Sequence, residues 1–256
     1  MGAVVENWYL ALFIALGGFL VTASANTINQ LLEIDYDKQM KRTANRPLAT
    51  GRMSITEAVL IAGVHGIVGL LILWLVFNPL TALLGAISLI SYAFIYTPLK
   101  RISPISVFVG AIPGALPLAI GWVAATGELN FIAYTLFAIQ FLWQFPHFWA
   151  IGWLGYDDYK KAGFKLLPTD YDGRNVNTAI QVVLYTIAMV AVGCIPYAIG
   201  LSGVIYLTAN LVLGAFFVYR GLQLYWYCNN DYALKVMYAS LFYLPITQIL
   251  MYIDKL

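Results

Sequence analysis

Long apolar stretches separated by short polar segments dominate the chain, and their lengths predict helices rather than strands. Runs able to cross about 30 Å of hydrocarbon occupy residues 8–28, 55–77, 80–97, 105–126, 130–153, 177–199, 203–224 and 233–253. Periodicity alone does not separate a buried helix from a buried strand in such runs, but length does. Eight transmembrane helices in an all-α bundle are predicted. Pro113 and Pro117, set among Gly110, Gly114 and Gly121, predict a bent fourth helix, and Pro146 a bent fifth. Membrane helices accept such residues when neighbours satisfy the freed carbonyls. No linker or low-complexity segment divides the chain, so residues 1–256 are expected to form one domain.

Composition agrees with this pattern. Of the 256 residues 61% are hydrophobic and 10% charged, against roughly 25% charged in a soluble domain, and the mean hydropathy is +0.78. The chain is an integral membrane protein whose first partner is the lipid bilayer. A net charge of +2 conceals segregation of the cations into a few loops, so it does not point to nucleic acid. Cys194 and Cys228 stand far apart in sequence and suggest neither a disulfide framework nor a cysteine metal site. The first residues lack the basic segment of a cleavable signal, so the first apolar run reads as a retained helix. Lys and Arg fall in the loops after helices 1, 3, 5 and 7, whereas the loops after helices 2, 4 and 6 contain none. That alternation places the charged loops in the cytoplasm and both termini on the opposite side.

The chemistry concentrates just after the first apolar run. Asn29, Glu33 and Asp37 are spaced i, i+4, i+8; on a continuous helix they lie within about 80° of one another. Such oxygens suit Mg²⁺, which takes one or two carboxylates from a protein and completes its shell with water and phosphate oxygens. Lys38, Lys41, Arg42, Arg46 and Arg52 follow at once and offer donors to a phosphate. The cations equally mark an ordinary cytoplasmic loop, but that reading leaves Glu33 and Asp37 unexplained. A second acidic segment four helices later places Asp157 and Asp158 beside Lys160, Lys161 and Lys165 on the same predicted side. Two acidic helix ends separated by four spans suggest an internal repeat facing a cavity; simple pairing of these acids with the neighbouring lysines is the alternative.

Five ordered motifs carry a resemblance. Asn29-x-x-x-Glu33-x-Asp35-x-Asp37, followed by Arg42-Thr-x-x-Arg46-Pro-Leu-x-x-Gly-Arg52, resembles the first acidic motif of the UbiA superfamily of membrane prenyltransferases. Tyr96-Thr-Pro-Leu-Lys100-Arg101, the Gly110 to Trp122 segment, Trp143-Gln-Phe-Pro-His147-Phe-Trp149 and Asp158-Tyr-x-x-Ala-Gly-x-x-Leu-Leu-Pro168 are similar to its haem-farnesylating branch, the haem O synthases. The match covers about two-thirds of the chain. Glu33 stands where the superfamily commonly carries Asp, and the superfamily's further Asp, four residues into its second motif, is replaced here by Lys161 or Ala162.

The resemblance implies a multi-helix bundle around a central cavity and transfer of a farnesyl group from farnesyl diphosphate to a vinyl group of haem b. It implies Mg²⁺ bridging the diphosphate to Asn29, Glu33, Asp37 and Asp158, with Asp157 in a lesser place. Arg42, Arg46, Lys100 and Arg101 would neutralise the leaving pyrophosphate. His147, Trp149 and Tyr96 are expected as haem contacts, although His147 also reads as a buried histidine of a Pro-bent helix. A bacterial inner membrane is expected, with the acidic motifs on its cytoplasmic side; oligomeric state is left open. Family members resemble this chain with one additional helix upstream, nine in all, so the chain is expected to be an N-terminally shortened version. Two rivals remain at this point: a related prenyltransferase acting on a quinone-precursor aromatic, and a multi-pass transporter using paired acids for ion coupling.

Overall fold

The computed structural model describes residues 8–168 and 173–255, and the expectation about the segment ahead of Trp8 lies outside them. All regular structure among the described residues is helical: α1 (Trp8–Leu32), α2 (Ile34–Asp37), α3 (Ile55–Ile72), α4 (Pro79–Ile90), α5 (Thr97–Leu99), α6 (Ser106–Thr126), α7 (Phe131–Leu154), α8 (Tyr156–Lys161), α9 (Val176–Val192), α10 (Ile195–Ala198), α11 (Val204–Tyr227) and α12 (Asn230–Ile253). Two π-helical segments were not predicted: Leu73–Phe77 continues α3, and Ser91–Tyr96 joins α4 to α5.

Local signals set the helix boundaries. Ser54 and Glu57 form a reciprocal capping box at the start of α3. Asn78 caps α4 through Thr81 N–H, with Pro79 in the first turn where its missing N–H costs nothing. Asn175 and Asn229 cap α9 and α12 in the same way. Gly127, at φ 76°, ends α6 in the left-handed region open to glycine.

Seven helical segments among the described residues are long and apolar enough to cross a membrane. The segment predicted as the fifth span, α7, has 24 residues, but Gln140, Gln144 and His147 lower its apolar character. The expectation of eight spans thus becomes seven apolar spans and one long, more polar helix, and the protein is a multi-pass integral membrane protein.

Two compact units are formed. The first contains the described residues up to Ala133 together with Asp157–Phe164, and the second contains Tyr134–Tyr156 and the described residues from Lys165 onward. In the first, α1 packs on α3, and α4 on α6. A Cβ on Gly69 would stand 2.9 Å from Val21 N and 3.0 Å from Gly17 O, so the backbones of α1 and α3 meet there directly. Ser24 Oγ donates to Ala62 C=O across the same interface at 2.7 Å. Small residues and interhelical hydrogen bonds replace the hydrophobic drive that lipid does not supply. Pro117 cannot donate to Pro113 C=O; Ser88 Oγ donates to that carbonyl instead, at 3.3 Å, as a proline inside a membrane helix requires.

In the second unit α11 packs on both α9 and α12. Buried Asn210 bridges them: its Nδ2 donates to Val190 C=O at 3.1 Å, and its Oδ1 accepts from Tyr243 OH at 2.5 Å.

Candidate functional site

Asn29 lies on the last turns of α1, and the helix breaks at Glu33, whose φ of −116° and ψ of 14° leave the helical region before α2 resumes. The continuous helix assumed from the spacing is therefore interrupted. Backbone i to i+4 bonds nonetheless persist, from Glu33 N–H to Asn29 C=O at 3.1 Å and from Asp37 N–H to Glu33 C=O at 2.8 Å. The three side chains keep their spacing and are 4%, 3% and 1% exposed in turn. Asp35, between them, is exposed and pairs only locally with Lys38 at 2.9 Å.

The π-helical turn Ser91–Tyr96 brings the next residues to this triad. Its wider spacing gives Thr97 N–H to Tyr92 C=O, and such turns recur at functional sites. Thr97 Oγ1 accepts from Asn29 Nδ2 at 3.0 Å and donates to Tyr92 C=O at 2.9 Å. Asn29 Nδ2 also donates to Glu33 Oε2 at 2.8 Å. One turn on, Lys100 Nζ stands 2.6 Å from Glu33 Oε1. The pair is a short contact between a buried ammonium and a buried carboxylate. Burial pushes the Lys100 pKa below the ordinary lysine value, with the Glu33 carboxylate opposing that shift. Arg46 Nη1 reaches both oxygens of Asp37, at 2.9 and 2.8 Å, and Thr43 Oγ1 donates to Asp37 C=O at 3.0 Å.

Two buried carboxylates thus face two cations, with an amide and a hydroxyl between them. Sequestering such pairs costs several kcal/mol per ion in desolvation, and an apolar packing of equal volume often stabilises a fold as well or better. A purely structural helix end gains little from this arrangement. A ligand carrying both a metal and phosphate oxygens would use all of it.

Arg42 and Arg101 occupy the rim rather than the core. Arg42 lies over the Tyr159 ring at 5.8 Å, and Arg101 lies over the Tyr36 ring at 4.5 Å and bonds its hydroxyl. The second acidic segment belongs to this same unit. Phe164 packs against Tyr36 at 6.0 Å and beneath Lys100 at 5.2 Å, so the two segments touch through these side chains.

Asp158 is half-buried and lies 3.7 Å from Lys161, while Asp157 is exposed. Among the described residues no three His, Cys, Asp or Glu side chains stand close enough to hold a metal by themselves. The oxygens of Asn29, Glu33 and Asp37 still fit a cation that arrives with its own phosphate ligands, because Mg²⁺ needs only one or two protein carboxylates. The sequence reading missed Thr97, Tyr36, Tyr159 and Phe164. Thr97 was findable, since it sits three residues before Lys100 on one helical face.

In the second unit α7 carries Phe137, Phe141, Phe145 and Trp149 four residues apart. Consecutive rings lie 5.1–5.6 Å apart, and Tyr185 stands edge-on to Trp149 at 5.1 Å. His147 stacks on Trp143 at 4.5 Å, and its Nδ1 is 2.7 Å from Ser240 Oγ. Tyr96, in the first unit, packs on Tyr92 at 5.4 Å with Lys100 Nζ 4.9 Å from its ring centre. His65, within α3, has a buried Nδ1 with no hydrogen-bond partner among the described residues.

Known proteins are similar to this chain in sequence and in fold. The chain is 47% identical to a protoheme IX farnesyltransferase of Cytophaga hutchinsonii over 98% of its length and 87% of that protein's. It is 44% identical to the one of Flavobacterium psychrophilum over 98% and 84%. Its fold is similar to that of a digeranylgeranylglyceryl phosphate synthase, with a TM-score of 0.79 at 22% identity over 97% of this chain and 86% of that one. It is also similar to a UbiA homologue from Archaeoglobus fulgidus bound to GPP and Mg²⁺, with a TM-score of 0.64 at 17% identity over 95% and 88%. The model of the UbiA prenyltransferase family matches residues 2–244, and the chain belongs to that family.

Proposed function

We propose that the protein transfers the farnesyl group of farnesyl diphosphate to a vinyl group of haem b. The observation that carries this is the 47% identity, over nearly the whole chain, to a protein named for that reaction. The buried acid–base cluster supplies chemistry suited to it. Asn29, Glu33 and Asp37 would hold Mg²⁺ with the diphosphate, and Asp158 and Asp157 would join them if α8 shifts. The metal, when bound, stabilises negative charge on the departing pyrophosphate. Lys100 and Arg46 then exchange carboxylate for phosphate oxygens, and Arg42 and Arg101 extend that field at the rim.

The C1–O bond of the farnesyl group breaks and its electron pair leaves with pyrophosphate. The vinyl π pair forms the new carbon–carbon bond to C1. The cation left on the vinyl side takes up water and loses a proton, giving a hydroxyethylfarnesyl substituent. Tyr92 and Tyr96, beside the cluster, offer π faces to the allylic cation. The aromatic ladder of α7, with Trp149 and His147, is suited to a flat macrocycle.

We further place the protein in a bacterial inner membrane with the acidic motifs on the cytoplasmic side, because the loops rich in Lys and Arg contain them. The test is incubation of the purified protein with haem b, farnesyl diphosphate and Mg²⁺, read by mass spectrometry. A farnesylated, hydrated haem is expected, with none after chelation of Mg²⁺. Product from 4-hydroxybenzoate and none from haem would overturn the acceptor assignment.

A further inference from the structure

Ser240 Oγ has two short contacts and one proton. It lies 2.5 Å from Met237 C=O, one turn back on α12, and 2.7 Å from His147 Nδ1. A carbonyl oxygen only accepts, so the serine proton must go to Met237. Donating it to Nδ1 instead would leave two oxygens 2.5 Å apart with no proton between them. The proton of the second contact therefore comes from the imidazole, and His147 is the Nδ1–H tautomer.

Its surroundings hold it there. The imidazole stacks on Trp143, ring to ring at 4.5 Å and 17°, and Trp143 Nε1 donates to Ser240 C=O at 2.8 Å. Both groups of one serine thus fix two neighbouring rings of α7. Ser240 and Trp143 are buried while the His147 ring is only half-buried. The imidazole makes no other hydrogen bond among the described residues, so Nε2 keeps its lone pair uncommitted. A neutral imidazole oriented by a hydrogen bond at its other nitrogen is the usual form in which histidine binds a metal.

We propose that Ser240 is a positioning residue that holds His147 with Nε2 unprotonated, and that Nε2 ligates the iron of the porphyrin acceptor, anchoring the macrocycle during transfer. The iron ligation rests on the haem reading above; the tautomer does not. Neutral imidazole is a common axial ligand of haem iron, and a loss of roughly 10–100-fold is typical when a ligand's orienting partner is removed.

The two parts are separately testable on the full chain in detergent. The protein has only two histidines, so ¹⁵N-histidine NMR with His65→Gln as the assignment control reads the His147 tautomer without any substrate. A protonated Nδ1 that loses its bias in Ser240→Ala is expected. A protonated Nε2 in the unaltered protein overturns the Ser240 assignment. Ferric haem b is then titrated into the protein. An imidazole-ligated Soret and EPR signature is expected, absent in His147→Ala, restored by added imidazole, and about tenfold weaker in apparent affinity in Ser240→Ala. An unchanged spectrum in His147→Ala, or no imidazole signature in a protein that farnesylates haem, overturns the ligation. Failure of the unaltered protein to modify haem at all strikes the proposed function and the ligation together, and leaves the tautomer result standing.

Discussion

Within the acidic cluster, charge and reach distinguish residues that look alike in sequence. Asp37 and Glu33 are buried against Arg46 and Lys100, whereas Asp35 is exposed beside Lys38. Glu33→Ala and Asp37→Ala are each expected to lower the transfer rate by about 10²–10³ while the protein stays folded in detergent, and Asp35→Ala to cost far less. Equal single-turnover rates in all three variants would remove the site assignment. Lys100 offers a stability test of the same cluster. Lys100→Met leaves the Glu33 carboxylate buried without its cation, at an expected cost of about 3–5 kcal/mol. Adding Glu33→Gln should recover much of this loss, because the remaining amide carries no charge. Thermal unfolding of the two variants in one detergent decides it: a double variant no more stable than Lys100→Met would show that the pair is not coupled.

Among the elements, α1 and α3 depend on close backbone approach at one face and tolerate change on the other. A Cβ at Gly69 meets backbone atoms that cannot yield, whereas one at Gly63 meets nothing within 4 Å. Gly69→Ala is expected to destabilise by about 1–3 kcal/mol through overpacking. Gly63→Ala should instead be neutral or stabilising by up to about 1 kcal/mol, as the helix propensities imply. Unfolding in mixed micelles compares them, and similar losses for the two would refute the packing argument. The break at Glu33 and the π turn at Ser91–Tyr96 belong to this scale too. Neither was legible in a pattern of apolar residues, because both follow from how backbone groups find partners after the chain has packed.

For the whole molecule, the alternation of basic loops makes a prediction about the membrane. In a Cys194→Ala, Cys228→Ala background, single cysteines at Lys38 and Lys160 should react with an impermeant reagent from the cytoplasmic side only. One at Glu128, in the loop after α6, should react only from the other side. All three positions are exposed, so accessibility does not limit the test. Labelling of Lys38→Cys and Glu128→Cys from one common face would invert or break the proposed topology.

Length and composition alone determined that this chain is an all-helical membrane protein, because runs of that length and apolarity are stable in a bilayer only as helices. Residue spacing alone also singled out Asn29, Glu33 and Asp37, since an i, i+4 repeat survives even where the helix is locally broken. The partners of those residues were another matter. That Lys100 meets Glu33 and Arg46 meets Asp37 depends on a π turn and a loop whose paths are set by packing. For Asp158 the motif suggested a role but no neighbour, and on α8 it lies 3.7 Å from Lys161. The tautomer of His147 lay furthest from the sequence, because it turns on a serine 93 residues away whose single proton is already committed to its own helix.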